Sequence, residues 1–588
     1  MKRLNTFLII LLSLMFFTSI ITIIWALDKG FQLRDEGLYI LSARFPEDFK
    51  FNVSAIYVYT GLLFKISGYN LVTFRLVSLF LLILSALIFW VGFDNLFKLR
   101  TKSLKIEYIR VYSLLFILIG SVLYYQWFFP MTACNYMVNS FTLNIFAGVL
   151  MLGLSWVVDK PMKSNIIFFI TGLSIGLALF TVFPFGVCLS LLCIVVVLLY
   201  QSISRCQKTI ILSMVFGGII AWFSVHFLFV LPLTTSWQYF KKGWQLYQLM
   251  GYHTFQQTIL HFSQQLFYLI YGAIKSFLLV YLVLGGVLAY AILLKRSLLI
   301  GKLFFVIVVI AGLCIPIVNF VPRVELTFRP SFAPFYLTVY LAYIFLLVFM
   351  IIYNFFISKK IINGKVNFNQ ISFNDKIILL LLIVLPLVAC VGSTSAVFYI
   401  TAWSVTPWFG VIVLLLILLV TNTNNYWLMP TCILLISAFA TSQIIQGTWV
   451  THSLGNLHLK TVPTKVGFPS TTMLFDKTTH DLIENLTSLA VNNGFQPGDN
   501  IIANYFPGMV FAMGGRTPGY NLMIFHPEVF TAEVFKLLDI ARLKKSWVLV
   551  TESDLDTYSQ VLLNVGINFP ANYKYIGSAT SYLLYKPV

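Results

Sequence analysis

Long apolar runs constrain this sequence more than any other feature. About thirteen of them are long enough to cross the hydrocarbon core of a bilayer, which takes about 20 helical residues. They lie near residues 7–27, 70–93, 111–130, 141–158, 166–183, 185–200, 209–232, 266–294, 303–321, 332–357, 377–396, 403–421 and 427–446. Pro184 leaves two readings of residues 172–200, two short helices or one long kinked helix. With 59% of the 588 residues apolar and 10% charged, the sequence predicts an α-helical polytopic membrane protein.

The charges between these runs predict how the chain is oriented. If the N-terminus is cytoplasmic, most Lys and Arg residues fall in inner loops, and an odd number of spans places residues 447–588 outside. The first run follows Met1-Lys2-Arg3 and is too long for a cleaved signal peptide, so we expect it to remain as an anchor. The net charge of +19 is explained by topology and anionic lipid. We expect no nucleic-acid partner, because the basic residues do not cluster on one soluble face.

Composition divides the chain into two predicted parts. Residues 1–446 form a transmembrane part with a first outer loop over 28–69, and residues 447–588 form a soluble α/β domain. In the second part, helical spacing alternates with short apolar runs. The predicted elements are helices over 479–491 and 528–543 and strands over 500–503, 546–550 and 581–585. Gly514-Gly515 lacks the spacing of a phosphate-binding loop and predicts a turn.

Three predicted outer loops are long enough to build a site: residues 28–69, 236–265 and 321–331. The first carries short amphipathic pieces, which we expect to be helices lying along the membrane interface. The second is rich in Trp and Tyr, including Trp237 and Trp244. That composition predicts an aromatic belt, and the alternative is a surface on which a sugar or lipid stacks.

An adjacent acidic pair, Asp35-Glu36, follows closely after the first apolar run. Few other acidic residues lie on the predicted outer face before residue 447, so a base for chemistry there comes from Asp28, Asp35, Glu36, Glu47, Asp48 and Glu325. At a membrane surface, desolvation and nearby cations set how basic a carboxylate is, which suits proton abstraction from a hydroxyl. The alternative is that the pair only marks where the helix leaves the bilayer.

Basic residues predominate on the predicted outer face, and a basic cavity suits a phosphate or diphosphate. Arg75 and Lys275 stand out because they lie in or near the ends of apolar spans. A charge there costs about 2.5–3.5 kcal/mol and usually faces the bundle interior, although snorkelling to the interface is the alternative. The seven His show no metal-binding spacing, and the seven Cys lie in or beside apolar spans and predict buried free thiols. We therefore predict no metal and no cofactor.

Several stretches together resemble a known family. They are the first-loop motif Asp35-Glu36-Gly37-Leu38-Tyr39 and the stretches 70–76, 172–178, 386–392, 496–499, 507–508 and 514–515. This pattern is similar to the GT-C glycosyltransferases, in particular to bacterial members of the dolichyl-phosphate-mannose protein mannosyltransferase and aminoarabinose transferase group. The resemblance covers most of the chain loosely, and its specific part is the Asp-Glu loop.

The resemblance implies a function, a donor and roles for residues. Such proteins move a sugar, with inversion, from a polyprenyl-phosphate carrier to a hydroxyl of protein, lipid or glycan at the outer face of a bacterial inner membrane. It implies that Asp35 is the base that deprotonates the acceptor and that Glu36 supports it. The leaving polyprenyl phosphate needs cations, for which the candidates are Arg75, Lys275, Arg323 and Arg329. Asn135 and Tyr39 are candidate contacts to the acceptor or the sugar.

Two departures from the family pattern leave other functions open. Relatives often carry a Lys shortly after the fifth-span Gly-Leu-Ala, where residues 179–184 have none, and an acidic residue after the third span, where this chain has Asn135. These differences fit a changed donor or acceptor, or an inactive protein. The rival functions are a transporter or flippase for a lipid-linked glycan and a non-catalytic membrane scaffold. A transporter predicts internal repeats, and no convincing repeat is present.

Overall fold

The computed structural model defines part of the chain. It describes residues 2–49, 53–101, 108–126, 131–249, 255–276, 340–341, 344–345, 347–348, 372–392, 397–423, 428–449, 451, 454–503, 506–519, 534–535 and 538–588. For Asn135 and Lys275 it describes the backbone alone. The predicted spans 266–294, 303–321 and 332–357 lie wholly or largely outside these residues, as do Arg323, Arg329 and Glu325.

The first part of the chain consists of helices joined by short turns in its described residues, which include no strand. Its helices are α1 (Lys2–Ala26), α2 (Asp35–Arg44), α3 (Ile56–Ile66), α4 (Leu71–Thr101), α5 (Ile109–Val122), α6 (Asn135–Trp156), α7 (Pro161–Thr181), α8 (Phe183–Leu199), α9 (Arg205–Val225), α10 (Leu233–Leu249), α11 (Phe255–Ser276), α12 (Phe373–Val388), α13 (Val397–Trp403), α14 (Thr406–Thr423) and α15 (Leu428–Gly447). Among the described residues, six helices are long and apolar enough to cross a membrane. Every predicted span outside the three named above coincides with a helix, so the helical membrane class is confirmed.

The break at Pro184 separates two helices. Val182 is extended, with φ −144° and ψ 93°, and it ends α7 and begins α8. Pro184 occupies the first turn of α8, where its missing N–H leaves no helical hydrogen bond unmade. The reading of residues 172–200 as two helices is therefore confirmed.

The C-terminal part contains two sheets. Its strands are β1 (Val462–Val466), β2 (Thr471–Phe475), β3 (Ile501–Ala503), β4 (Trp547–Thr551), β5 (Tyr573–Ala579) and β6 (Tyr582–Pro587), and its helices are α16 (Lys477–Asn492), α17 (Pro507–Ala512), α18 (Ile540–Lys544) and α19 (Leu555–Leu563). Strands β1 and β2 form an antiparallel pair, and the second sheet has the order β3-β4-β6-β5. In it β3 is parallel to β4 and the other pairs are antiparallel. The predicted α/β character is confirmed.

One predicted element of this part is wrong at its end. A single helix over 528–543 does not form, because Asp539 starts the new helix α18 by accepting hydrogen bonds from the backbone N–H groups of Ala541 and Arg542. Sequence reasoning also missed β1, β2, β5 and α19. Gly514-Gly515 forms a turn as predicted, and the Gly514 carbonyl accepts a hydrogen bond from the Gly498 N–H.

The C-terminal part packs directly on helix α2 of the first loop. A Cβ built on Gly37 would lie 2.3 Å from the Cα of Gly508 at the start of α17, so the two helix backbones touch where neither residue has a side chain. The Gly508 N–H also donates to the Leu33 carbonyl over 2.8 Å. Phe31 adds edge-to-face contacts with Phe475 and Phe511 at 5.5 and 5.7 Å between ring centroids. The helix that begins at Asp35 is therefore held from the C-terminal side.

A charged network makes a second connection between the same two parts. Asp48, with a side chain 4% exposed, accepts from Arg516 and from Arg542 Nη1, the latter over 2.7 Å. Arg516 Nη2 also donates to Glu47 Oε1 over 2.9 Å, and Arg542 Nη2 donates to the Thr517 carbonyl over 2.8 Å.

Because the first loop and the C-terminal part touch, they lie on one side of the membrane. The chain must therefore cross the membrane an even number of times between them. The number of spans predicted after the first is even and satisfies this condition.

The glycine contact predicts a steric effect. Replacing Gly508 by Ala puts a methyl group 2.6 Å from the Cα of Leu33, and overpacking of this kind should lower the stability by about 1–3 kcal/mol. The matched control is Gly217→Ala in α9, where the new methyl meets its nearest atoms at ordinary contact, 3.8 Å. Thermal unfolding of both variants in the same detergent measures the difference. Equal midpoints would contradict the close contact.

The charged network predicts unequal roles for two neighbouring acids. Removing the buried carboxylate in Asp48→Ala leaves two arginines facing each other and should cost about 3–5 kcal/mol. Glu47→Ala removes a side chain that is 59% exposed and should cost about 0–1 kcal/mol. Hydrogen exchange of strands β3 and β4 reports whether the C-terminal part has loosened. Similar exchange in the two variants would contradict the assignment.

Candidate active site

The acidic pair of the first loop forms the first turn of helix α2. Asp35 and Glu36 are its first two residues, and negative side chains there are favoured by the partial positive charge of the helix N-terminus. Successive helical residues point about 100° apart, so the two carboxylates face different surroundings. Asp35 is half-buried and Glu36 is buried. The pair that the sequence presents as one motif is therefore divided into two environments.

Glu36 forms a buried ion pair with Arg75 of helix α4. Arg75 Nη2 lies 2.8 Å from Glu36 Oε1, with side-chain exposures of 0% and 1%. The same guanidinium donates from Nη1 to the Leu27 carbonyl over 2.6 Å and from Nη2 to the Gly30 carbonyl over 2.7 Å. The second carboxylate oxygen of Glu36 accepts from the Gln32 N–H over 3.3 Å. One charged pair thus connects the end of α1, the start of α2 and the start of α4.

Two further cations lie near this pair, Lys460 from the C-terminal part and Lys29 from the first loop. Lys460 is 4% exposed and its Nζ lies 3.2 Å from Asp476 Oδ2. Burial lowers the pKa of Lys460, the Asp476 carboxylate opposes that shift, and Arg75 adds to it. Lys29 Nζ donates to the Lys460 carbonyl over 3.4 Å. Lys460, which sequence reasoning did not name, thus adds a buried cation whose pKa is influenced by both Arg75 and Glu36.

Asp35 lies beside a group of phenols and a thiol. Tyr39 is four residues further along α2, on the same helix face. Burial raises the pKa of Tyr39 well above its ordinary value, and Tyr136, Cys134, Tyr57 and Asp35 add smaller contributions in the same direction. The Tyr39 phenol is therefore protonated at neutral pH and able to donate a hydrogen bond. This group, which we call the tyrosine cluster, consists of Tyr39, Tyr57, Tyr136 and Cys134.

Two parts of the chain build the tyrosine cluster around α2. Tyr57 comes from α3 and makes an edge-to-face contact with Phe49 at 4.6 Å between ring centroids. Cys134 immediately precedes α6 and lies 3.4 Å from the Tyr124 hydroxyl, while Tyr136 packs on Trp403 at 4.8 Å between ring centroids. Sequence reasoning missed Tyr57, Tyr136 and Cys134 as site residues. Their aromatic or apolar surroundings in the sequence gave no signal that they come together around Tyr39.

The remaining carboxylates of the first loop serve elsewhere. Glu47 and Asp48 bind the arginines of the C-terminal part. Asp28 has a side chain 44% exposed and lies 4.0 Å from Lys29 Nζ. Glu325 lies outside the described residues. Asp35 lies one helical turn before Tyr39, while the Glu36 carboxylate, which is paired with Arg75, also raises the pKa of the Cys134 thiol of the tyrosine cluster.

The structure gives less information on several of the other predicted site residues. The backbone of Asn135 begins α6, directly after Cys134, and that of Lys275 lies at the end of α11. Arg323 and Arg329 lie outside the described residues. Arg75, predicted to bind the donor phosphate, is enclosed by Glu36 and two backbone carbonyls. His226 is buried and hydrogen-bonds the Tyr59 hydroxyl, so it is a satisfied core residue.

Cysteines and metal-binding groups were also predicted from the sequence. Six of the seven Cys lie in the part of the chain that the structure describes, and all six are free thiols. Cys206 is exposed, so the expectation of uniformly buried thiols is wrong at that position. Within the described ranges, no three His, Cys, Asp or Glu residues come together in a way that could hold a metal ion.

Comparison with known proteins gives a likeness in structure and none in sequence. No protein-family model matches the sequence, and no curated protein matches it. The chain is similar to the crystal structure of ArnT from Cupriavidus metallidurans bound to undecaprenyl phosphate, over 98% of each chain, with 10% identity and a TM-score of 0.38. A TM-score of this size establishes no shared function.

The buried ion pair predicts a double-mutant result. Glu36→Ala leaves the Arg75 charge buried without its carboxylate and should lower stability by about 3–5 kcal/mol. Adding Arg75→Met removes that charge, so the double variant should be more stable than Glu36→Ala alone. Chemical unfolding in one detergent provides the four free energies of the cycle. Additive losses would show that the two side chains do not act as a pair.

Proposed function

We propose that this chain is an integral membrane glycosyltransferase of the GT-C type, which uses a polyprenyl-phosphate-linked sugar as donor. The observation that supports this proposal is Asp35, which is half-buried at the start of α2 beside the tyrosine cluster. Its helix is fixed by the Glu36–Arg75 pair and by the Gly37–Gly508 contact. The Asp-Glu motif of the family falls on these two residues. The polyprenyl phosphate is a lipid of the same class as the undecaprenyl phosphate bound to ArnT.

The proposed reaction inverts the anomeric carbon in one displacement. The Asp35 carboxylate takes the proton of an acceptor hydroxyl, whose oxygen attacks the anomeric carbon. The bond from that carbon to the phosphate oxygen breaks, and polyprenyl phosphate leaves with the electron pair. Glu36 is not the base in this scheme, because it is held in an ion pair with Arg75. Its role is to fix the first turn of α2 so that Asp35 meets the acceptor.

The leaving phosphate requires cations or hydrogen-bond donors near the site. Lys275, Arg323 and Arg329 remain the proposed phosphate-binding residues. We assign Arg75 to positioning, since Glu36 and the carbonyls of Leu27 and Gly30 already accept from its guanidinium. No metal or cofactor is part of the proposal.

Two side chains are proposed to contact the sugar or the acceptor. The Tyr39 phenol is protonated at neutral pH, as an ordinary tyrosine is, and burial raises its pKa further, so it can donate to a sugar or acceptor oxygen. Asn135, at the start of α6, offers an amide that can donate and accept. An amide cannot act as a base, which leaves that role to Asp35. The acceptor is proposed to be a hydroxyl of a lipid, glycan or protein in the cell envelope.

The proposed location is the bacterial inner membrane, with the N-terminus in the cytoplasm and the C-terminal part outside. The distribution of Lys and Arg between alternate loops supports this orientation. The contact between the first loop and the C-terminal part supports their being on one side. Alkylation of cysteines introduced at Lys105 and Asn504 tests it, since a membrane-impermeant reagent should reach position 504 from outside and not position 105.

The first test of the reaction compares two conservative variants of the first loop. Asp35→Asn keeps size and removes the base, so transfer of radiolabelled sugar from polyprenyl-phosphate donors to a membrane lipid and glycan extract should fall by about 100-fold or more. Asp28→Asn makes the same chemical change at a more exposed carboxylate of the same loop and should stay close to wild type. Both purified variants should unfold at the same midpoint as the wild type, so that a loss of transfer does not reflect a loss of folded protein.

The outcomes separate the proposal from its rivals. Full transfer by Asp35→Asn would rule out the proposed base while keeping the transferase. No donor consumption by the wild type, together with movement of labelled lipid across a proteoliposome bilayer, would favour the transporter. A wild type that does neither would favour the scaffold.

A further inference from the structure

A tyrosine of the first loop binds a histidine of a membrane span. The Tyr59 hydroxyl in α3 lies 2.7 Å from Nδ1 of His226, which is buried near the end of the candidate span Arg205–Val230. Burial raises the pKa of Tyr59 further above neutral, so the hydroxyl keeps its proton and can donate. The Tyr59 ring also stacks on Trp222, one helical turn before His226, with 6.1 Å between ring centroids. These two contacts hold α3 against the end of this span.

The rest of the His226 ring is engaged by the protein as well. Nε2 lies 3.4 Å from Ser236 Oγ, and that hydroxyl donates to the Leu231 carbonyl over 3.2 Å. Because the serine proton is directed at the carbonyl, its oxygen is available to accept from Nε2–H, and Nδ1 then accepts from Tyr59. The face of the ring stacks on Phe180 of α7, with 3.7 Å between ring centroids. These contacts favour one orientation of the imidazole and one tautomer.

The backbone at His226 departs from an ordinary α-helix. Residues His226–Val230 form a π-helical turn, in which the Leu231 N–H donates to the His226 carbonyl over 2.9 Å. Such turns are rare in proteins and occur frequently at functional sites. The turn lies where the span meets the first loop, so the change of helix type coincides with the contact to Tyr59.

Helix α3 connects this contact to helix α2. The Ala55 N–H, directly before α3, donates to the Phe180 carbonyl over 2.8 Å, which fixes the start of the helix on α7. A Cβ built on Gly61 would lie 2.7 Å from the carbonyl oxygen of Ala43 in α2, so the backbones of the two helices are in contact. Tyr57 of the tyrosine cluster lies on α3 between these two points. A shift of α3 would therefore move Tyr57 and disturb its packing on α2.

We propose that Tyr59 and His226 are positioning residues of the transfer reaction, because their hydrogen bond sets the place of α3 and thereby the alignment of Tyr57 with Tyr39 on α2. This inference rests on the proposed function, since it assigns the two residues a role in that reaction. Neither side chain touches the donor or the acceptor in this scheme. A displacement of about 1 Å in groups that bind the reacting molecules can slow a reaction by about 100-fold, so an anchor outside the site can control the rate.

The kinetic test removes one hydroxyl. Tyr59→Phe keeps the ring that stacks on Trp222, and it should lower kcat for sugar transfer by about tenfold while the donor KM stays close to wild type. The matched control is Tyr112→Phe, which removes a hydroxyl that donates to the Asn5 carbonyl over 3.3 Å between α5 and α1. That variant should keep the wild-type kcat. An equal loss of kcat in both variants, or a loss in neither, would overturn the positioning role.

A double variant tests whether the two residues act through one hydrogen bond. His226→Phe removes both ring nitrogens and keeps an aromatic ring that can stack on Phe180. It should lower kcat at least as much as Tyr59→Phe, since it also loses the contact to Ser236. Adding Tyr59→Phe to His226→Phe should then slow transfer no further. Losses of kcat that multiply would overturn the shared role.

Hydrogen exchange of α3 separates this inference from the proposed function, because it needs no substrate. Tyr59→Phe should speed exchange of the α3 amides by about fivefold, as the loss of one hydrogen bond allows, and Tyr112→Phe should not. Unchanged exchange in Tyr59→Phe would overturn the inference whatever the transfer assay gives. Faster exchange in a wild-type background that transfers no sugar would overturn the proposed function and the positioning role with it, while supporting the bond as the anchor of α3.

Discussion

The Glu36–Arg75 ion pair is the interaction on which the geometry of the candidate site depends. Removing two charges from water is costly, and the cost is recovered only where hydrogen bonds satisfy both groups. Here the guanidinium also binds the carbonyls of Leu27 and Gly30, so three segments are fixed by one side chain. Helix α2 is short and receives little stability from its own hydrogen bonds. Its position, and with it that of Asp35, follows from contacts made outside the helix.

The C-terminal part contributes to this position as much as the membrane helices do. The backbones of α2 and α17 touch at Gly37 and Gly508. The Asp48 carboxylate forms ion pairs with both Arg516 and Arg542. A membrane protein of this kind could carry its soluble part as a separate unit, but here the soluble part packs on the helix that bears the proposed base. Changes far along the sequence are therefore expected to affect the geometry at Asp35. Such changes would act on Asp35 through the charged network around Asp48 or through the contact between Gly37 and Gly508.

The sequence by itself determined the helical membrane class, most span positions, the α/β character of the C-terminal part and Asp35-Glu36 as the motif to examine. These follow from hydropathy, spacing and local motif, which need no knowledge of distant contacts. Only the tertiary structure decided that Glu36 and Arg75 pair, that Tyr57, Cys134 and Tyr136 gather around Tyr39, and that Asp48 binds two arginines more than 450 residues away. The helix predicted over 528–543 failed because an Asp539 cap outweighed apolar periodicity. Pairing between distant residues depends on how helices pack, and hydropathy along the chain carries no record of that packing.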